Sequence, residues 1–174
     1  MDGIDLSHDQ KHFHIEVSYD GTDFFGWQIQ PEHITVQKVV QDILETLYAG
    51  QYVKVQGSSR TDAGVHALGL AVSFTAPLKP VISMKQLKVA LNSMLPETVR
   101  IRSICEVNEG FNARFASIGK AYTYVINTGE QVPFSNRYSW YQRNCHNVDE
   151  MKKAAAHLIG KNDFSSFTVL RSQV

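Results

Sequence analysis

The chain has 174 residues, and its 17 lysines and arginines balance 17 aspartates and glutamates. Apolar residues make up 43% and charged residues 20%, which excludes an intrinsically disordered chain. The charge is uneven, because residues 1–87 carry 6 basic and 10 acidic side chains while residues 88–174 carry 11 and 7. Zero net charge argues against nucleic-acid binding through bulk charge alone, but the basic second half remains suited to an anionic partner.

Cysteine count and hydropathy exclude several other classes of protein. Cys105 and Cys145 are too few for a disulfide framework or a four-thiolate zinc site, and we expect two idle, reduced thiols. No apolar run reaches the roughly 18 residues of a membrane span, and residues 1–11 form an acidic, polar tail without a signal peptide. We therefore expect a cytoplasmic protein with no membrane partner.

The periodicity of the apolar residues predicts the elements of the first part of the chain. Alternation over residues 13–19 indicates a half-buried strand. Apolar residues at helical spacing after Thr35, a candidate N-cap, indicate an amphipathic helix that stops at Gly50. Ser83 is the candidate N-cap of a second helix. The other predicted elements are strands at residues 52–56, 68–74 and 99–107.

The resulting order, β-α-β-β-α-β, predicts a ferredoxin-like α+β fold with an antiparallel sheet and helices on one face. We expect a tail over residues 1–11, an α+β domain over residues 12–108, and the start of a second, similar α+β domain over residues 109–174. In that second part we predict a strand at residues 119–128 and a helix at residues 149–159. These elements cannot close a core of their own, so we expect this domain to be truncated.

One segment, residues 57–69, concentrates ionisable and flexible side chains between two predicted strands. Asp62 and Gly64 alone fit an ordinary turn, in which the carboxylate binds backbone and glycine takes a positive φ. Arg60 and His66 shift the balance towards a site. An aspartate carboxylate is ionised at neutral pH and needs no base to act as a nucleophile, and Arg60 could hold it through a charge-assisted bond.

Four ordered segments resemble the TruA family of tRNA pseudouridine synthases. The core of residues 57–69, Arg60-Thr61-Asp62-Ala63-Gly64-Val65-His66, resembles the family's catalytic motif, and residues 19–28 resemble its N-terminal signature, followed by the helix start Thr35-Val36-Gln37. Residues 111–124 resemble the segment that supplies the base-stacking tyrosine, and residues 162–167 the start of the C-terminal core.

The resemblance implies an enzyme that isomerises uridine to pseudouridine at positions 38 to 40 of the tRNA anticodon stem-loop. It implies a homodimer when the protein is full length, no cofactor and no metal. The resemblance implies that Asp62 is the nucleophile. It also implies that Arg60 partners Asp62 and helps to hold the flipped nucleotide, and that the Tyr122 ring packs on the uracil. Without the resemblance, Tyr122 fits better as a core residue of a strand beside Tyr124. Attack of Asp62 on C1′ and a glycal route stay open.

Two alternative hypotheses for the function stay open. The first is a catalytically inactive RNA-binding module of the same fold, and the weaker one is a metal-dependent hydrolase that uses Asp62 and His66. The chain offers two sets of basic residues to RNA phosphates, although each residue could equally belong to a solvated face. These residues are Lys79, Lys85, Lys88, Arg100 and Arg102 in one set, and Arg114, Lys120, Arg137 and Arg143 in the other.

Overall fold

The structure, a computed structural model, describes residues 10–144 and 147–167. The chain divides into two compact units after Ala121. This division comes later than the boundary expected at residue 108, because a short helix beyond that point packs on the sheet of the first unit. The sheet also begins earlier than expected. Gln10 and Lys11, placed by the sequence in the tail, pair with Pro77 and Ala76.

The first unit has the predicted β-α-β-β-α-β order. Its four strands form one antiparallel sheet in the order β2-β3-β1-β4, which is the ferredoxin-like arrangement. The elements are β1 (Gln10–Tyr19), α1 (Val36–Leu47), β2 (Val55–Gly57), β3 (Ala67–Pro77), α2 (Met84–Met94) and β4 (Val99–Val107).

Both helices begin at the predicted caps. The Thr35 hydroxyl accepts a hydrogen bond from the Lys38 amide, and Ser83 forms a capping box with Gln86. The buried faces of the helices pack with the core-facing side chains of the sheet in a single core. Burial of that face fixes the register of β1, since a slip of one residue would turn its apolar side chains to the solvent.

A short helix, α3 (Ala113–Ala116), contacts β2 and β3. The Ala113 backbone amide donates to the Ser73 hydroxyl at 3.1 Å, and the Asn112 side-chain amide donates to the side-chain oxygen of Gln56 at 3.0 Å. Ser73 projects from β3 between core-facing neighbours, so these bonds tie residues 112–116 to the side of the sheet opposite α1 and α2.

The second unit contains less regular structure than the sequence predicted. Only β5 (Ile126–Asn127) forms within the predicted strand at residues 119–128, and it pairs in parallel with β6 (Trp140–Tyr141). The predicted helix is present as α4 (Val148–Ala156), and residues 165–167 form one 3₁₀ turn. No described residue between 122 and 167 is buried.

Cys105 is a free, exposed thiol, and Cys145 lies outside the described residues. In the described part of the chain, no helix combines the length and the apolar character needed to span a bilayer.

Candidate active site

The segment that carries Asp62 forms the loop of residues 58–66 between β2 and β3. Ala67, the first residue of β3, pairs with Tyr19, the last residue of β1. The loop therefore lies at the edge of the sheet where β1 ends and the chain turns towards α1.

The loop contains a turn at Asp62 and Gly64, as the sequence predicted, but the Asp62 carboxylate binds no backbone group of the described residues. The Val65 amide donates to the Asp62 carbonyl at 3.2 Å, and Gly64 takes a φ of +77°. A positive φ at the third position of a four-residue turn favours glycine, because a side chain there would be strained. Asp62 stands at the first position of this turn, and its side chain is exposed to solvent.

The structure places Arg60 and Asp62 in the same loop but does not join them. Neither side chain forms a hydrogen bond or an ion pair with any residue in the described ranges, so the charge-assisted bond expected between them is absent here. Both side chains are exposed. Water weakens the attraction between exposed charges in general to about 0–1 kcal/mol. Asp62 therefore presents an unpaired carboxylate.

The segment of residues 20–27, which follows β1, is joined to the loop by backbone hydrogen bonds. The Trp27 amide donates to the Thr61 carbonyl at 3.1 Å, and the Gly64 amide donates to the Phe24 carbonyl at 3.2 Å. These two hydrogen bonds lie on either side of Asp62 in the chain. The backbone around the carboxylate is thus fixed by contacts that are distant in sequence.

Two glycines of this segment permit the close approach. A Cβ atom on Gly21 would stand 2.0 Å from the Val65 carbonyl oxygen, and one on Gly26 would stand 2.3 Å from the Thr61 carbonyl oxygen. Gly26 also has a φ of +82°. Glycine is required at both positions because the backbone of the loop occupies the space that a side chain would need.

The start of α1 fixes the same segment from its other side. The first amides of the helix, on Val36 and Gln37, donate to the carbonyls of Gly26 and Trp27. The buried Gln37 side chain accepts from the Ile29 amide and donates to the Val55 carbonyl. These bonds satisfy backbone groups that a helix leaves without intrahelical partners, and they link α1 to both β2 and the segment beneath the loop.

His66 closes the loop on the segment of residues 20–27. Its Nδ1 atom lies 3.1 Å from the Gly21 amide nitrogen and 3.0 Å from an Asp20 carboxylate oxygen. Without a hydrogen, Nδ1 accepts from the Gly21 amide; with a hydrogen, it donates to the Asp20 carboxylate, so the two contacts are alternatives. No cluster of three or more potential metal ligands occurs among residues 10–144 and 147–167, and the hydrolase reading gains no support from His66.

Tyr122 belongs to the second unit, and its side chain is 68% exposed. Tyr124 is 84% exposed, and neither tyrosine lies within β5. The interpretation of Tyr122 as a core residue of a strand is therefore wrong for the structure described. An exposed ring can stack on a base, which is the role implied by the resemblance.

Several of the basic residues considered for phosphate binding contact backbone carbonyls. Arg100 donates to the carbonyls of Leu95 and Pro96, just after α2, and of Val99 in β4. Lys88 donates to the Arg102 carbonyl. Arg102 itself stands at an irregularity in the pairing of β1 with β4 and donates to the Leu68 carbonyl at 2.9 Å. Leu68 follows the start of β3, so Arg102 brings a positive charge to the sheet end that carries the loop.

Sequence reasoning identified Asp62 but not the contacts that hold it. Tyr19 was assigned to the core by its alternation with polar residues, yet its hydroxyl lies 2.8 Å from the Thr61 hydroxyl. Burial raises the pKa of Tyr19, and the hydrogen bond to Thr61 partly offsets this rise. Glycines in residues 20–27 and 57–69 are the sequence signal for these contacts. Neither segment alone shows that the two lie against each other.

Comparison with known proteins identifies relatives of this chain. Residues 15–116 match the family model described as tRNA pseudouridine synthase. Proteins named tRNA pseudouridine synthase A are similar along most of the chain. The one from Thermosipho melanesiensis is 41% identical over 90% of this chain, and those from Oceanobacillus iheyensis and Geobacter sulfurreducens are 39% and 41% identical over 91% and 87%.

The matched region covers most of the α+β unit and the whole loop that carries the exposed Asp62 carboxylate. The chain belongs to the tRNA pseudouridine synthase family. It spans 61–64% of the length of the three relatives named above.

Proposed function

We propose that the full-length protein catalyses the isomerisation of uridine to pseudouridine in tRNA, with the Asp62 carboxylate as the reactive group. The observation that carries the proposal is the state of this side chain, which is exposed and unpaired among the described residues while its backbone is fixed on both sides. A binding module needs no unpaired carboxylate on a fixed backbone, whereas catalysis benefits from a reactive group whose attachment point is held in place before the substrate arrives.

The reaction is a rearrangement within one nucleotide. The bond from N1 of uracil to C1′ breaks, the uracil turns while it stays bound, and a bond forms between C5 and C1′. The proton on C5 leaves and N1 gains one, so atoms and charge balance without a redox or group-transfer cofactor. Asp62 starts either of two routes, by attack on C1′ or by removal of the C2′ proton to give a glycal.

A uridine in a base-paired stem must leave the stack before C1′ can be reached, and this costs about 2–4 kcal/mol of free energy. Tyr122 offers an exposed aromatic face for the extruded uracil, and Arg60 offers a cation that is not bound to any described residue. We propose that these two side chains offset the cost of base flipping. Tyr122 is also the residue we consider for removal of the C5 proton.

The proposed substrate is the anticodon stem-loop, with the target at positions 38 to 40, and the proposed assembly of the full-length protein is a homodimer in the cytoplasm. These details are inferred from the family resemblance. The charge of the chain supports an RNA partner, since the half that follows residue 87 carries 11 basic and 7 acidic side chains. Arg102 adds a cation at the sheet end that carries Asp62.

The test is product analysis on defined RNA. Anticodon stem-loops with one uridine, at position 38, 39 or 40, are incubated with the protein in the presence of a chelator, digested to nucleosides and analysed for pseudouridine. We expect product from at least one of them, and none from a T-arm stem-loop of equal length. Tight binding of the stem-loops without any product would instead establish the inactive RNA-binding module.

The two routes from Asp62 are separated by isotope substitution. Deuterium at C2′ of the target uridine slows the reaction if that proton is removed in the glycal route. An unchanged rate supports attack of Asp62 on C1′.

A further inference from the structure

Tyr19 combines a buried ring with one polar contact. It is the last residue of β1, its side chain is 4% exposed, and its ring lies against Trp27 with centroids 6.3 Å apart. The preceding core-facing side chains of β1 are apolar, and phenylalanine would fill the same space as tyrosine. Burying a hydroxyl without a partner costs free energy, so the 2.8 Å hydrogen bond to Thr61 is what allows tyrosine here.

Thr61 is the residue immediately before Asp62, and it is held at two points. Its hydroxyl is bonded to Tyr19, and its carbonyl accepts from the Trp27 amide at 3.1 Å. One contact restrains the side chain and the other restrains the peptide group that joins Thr61 to Asp62. Together they leave this peptide group little freedom to rotate.

Asp62 depends on this restraint because its own side chain contributes none. Its carboxylate forms no hydrogen bond or ion pair within the described part of the chain. The turn after it is fixed by the amides of Gly64 and Val65. The position of the Asp62 Cα and Cβ atoms, from which the carboxylate extends, is therefore set by the backbone, and Thr61 fixes that backbone on the upstream side.

We infer that the Tyr19 hydroxyl is a positioning group for the Asp62 carboxylate and acts through Thr61. Tyr19 does not touch the reacting atoms; it fixes the backbone position from which Asp62 reaches C1′ or C2′. This inference rests on the proposed function, in which Asp62 is the reactive group. A misplacement of about 1 Å in a reacting group lowers turnover by as much as about a hundredfold.

The first test is Tyr19→Phe, which removes the hydroxyl and keeps the ring. We expect kcat for pseudouridine formation to fall at least about tenfold while KM for the stem-loop stays within about twofold. The matched control is Tyr48→Phe. Tyr48 is also buried, and burial also raises its pKa, but its hydroxyl bonds to no described residue and reaches the solvent instead. Its variant should keep the wild-type kcat.

The second test is rescue at the other end of the bond. Thr61→Ser keeps a hydroxyl for Tyr19 and should retain most of the wild-type kcat, whereas Thr61→Val should lose as much as Tyr19→Phe. The double variant Tyr19→Phe with Thr61→Val should be no worse than either single variant, because both remove the same bond.

A measurement without turnover separates this inference from the proposed function. Amide hydrogen exchange over residues 58–66 should accelerate about fivefold in Tyr19→Phe and stay unchanged in Tyr48→Phe. If the wild-type protein makes no pseudouridine, the proposed function fails, and the exchange data still decide whether Tyr19 orders the loop. Equal kcat losses in Tyr19→Phe and Tyr48→Phe, no rescue by Thr61→Ser, or unchanged exchange in Tyr19→Phe would overturn the inference.

Discussion

The two units of the chain differ in how their residues are held in place. In the first, 21 apolar residues form a core between a four-stranded sheet and two helices, and the loop with Asp62 is bonded to that framework. In the second, no described residue is buried, and large apolar side chains such as Phe134 and Ile159 are exposed. The position of the proposed nucleophile is therefore set within the first unit, whereas Tyr122 is not fixed by burial within the second.

This difference separates two requirements of the proposed reaction. The backbone that carries the carboxylate must be positioned before the substrate binds. The first unit does this with hydrogen bonds between residues 34 to 45 positions apart, such as those from the Trp27 amide to the Thr61 carbonyl and from the Gly21 amide to the His66 ring. The ring that stacks on the base must stay accessible, and the exposure of Tyr122 satisfies that requirement.

The largest expected effect comes from truncating one leucine in each unit. Leu44→Ala leaves a cavity in the core of the first unit, where this side chain is fully buried, and should lower the free energy of unfolding by about 2–5 kcal/mol. Leu158→Ala is the same change at an exposed side chain of the second unit and should stay within about 0.5 kcal/mol. Chemical denaturation measures both, and equal losses would show that the second unit is also held by buried apolar contacts.

A smaller contrast is expected between two glycines with positive φ. Gly26→Ala adds a Cβ at φ +82° and forces it against the Thr61 carbonyl, so we expect a loss of about 2–3 kcal/mol in stability and a displaced Asp62. Gly160→Ala adds a Cβ at φ +97° with no heavy atom within 4 Å. It should cost about 1 kcal/mol.

Denaturation together with the rate of pseudouridine formation distinguishes these glycines. Turnover should fall in Gly26→Ala and not in Gly160→Ala. Unchanged turnover in Gly26→Ala would show that the segment of residues 20–27 does not set the position of the loop.

The smallest expected effect concerns stacking by the second unit. Tyr122→Ala removes a ring whose contact with a base is worth about 1–2 kcal/mol, so kcat should fall roughly tenfold, with a smaller change in RNA affinity because phosphate contacts dominate binding. Tyr124→Ala is the control, two residues away and similarly exposed. If both variants keep the wild-type rate, Tyr122 has no role in base binding.

Periodic segments of the sequence predicted the fold well. Alternation in β1 and the capped apolar stripes of α1 and α2 are local signals, and all three elements are confirmed. The alternation over residues 119–128 is equally clear, yet only Ile126 and Asn127 form a strand there. A strand needs a partner as well as a pattern, and the short β6 supplies only two paired residues within the described part of the chain.

The candidate site was predictable only in part. Residues 57–69 stand out by composition, which directed attention to Asp62. The bond between Tyr19 and Thr61 joins residues 42 positions apart, and alternation accounts for Tyr19 completely as a core residue. The periodicity of a sequence does not show the polar contacts of a residue that also fits the core pattern. Such contacts can be found only in the three-dimensional structure.

The central claim is that Asp62 is the reactive group of a pseudouridine synthase. The most direct measurement uses tRNA that carries tritium at C5 of uridine, because formation of pseudouridine releases this label to water whereas binding does not. We predict release by the wild-type protein and by Glu109→Gln, a change at an exposed carboxylate outside the loop, and a loss of at least about 10³-fold in Asp62→Asn with RNA affinity retained. Release by Asp62→Asn at the rate of Glu109→Gln would contradict the claim.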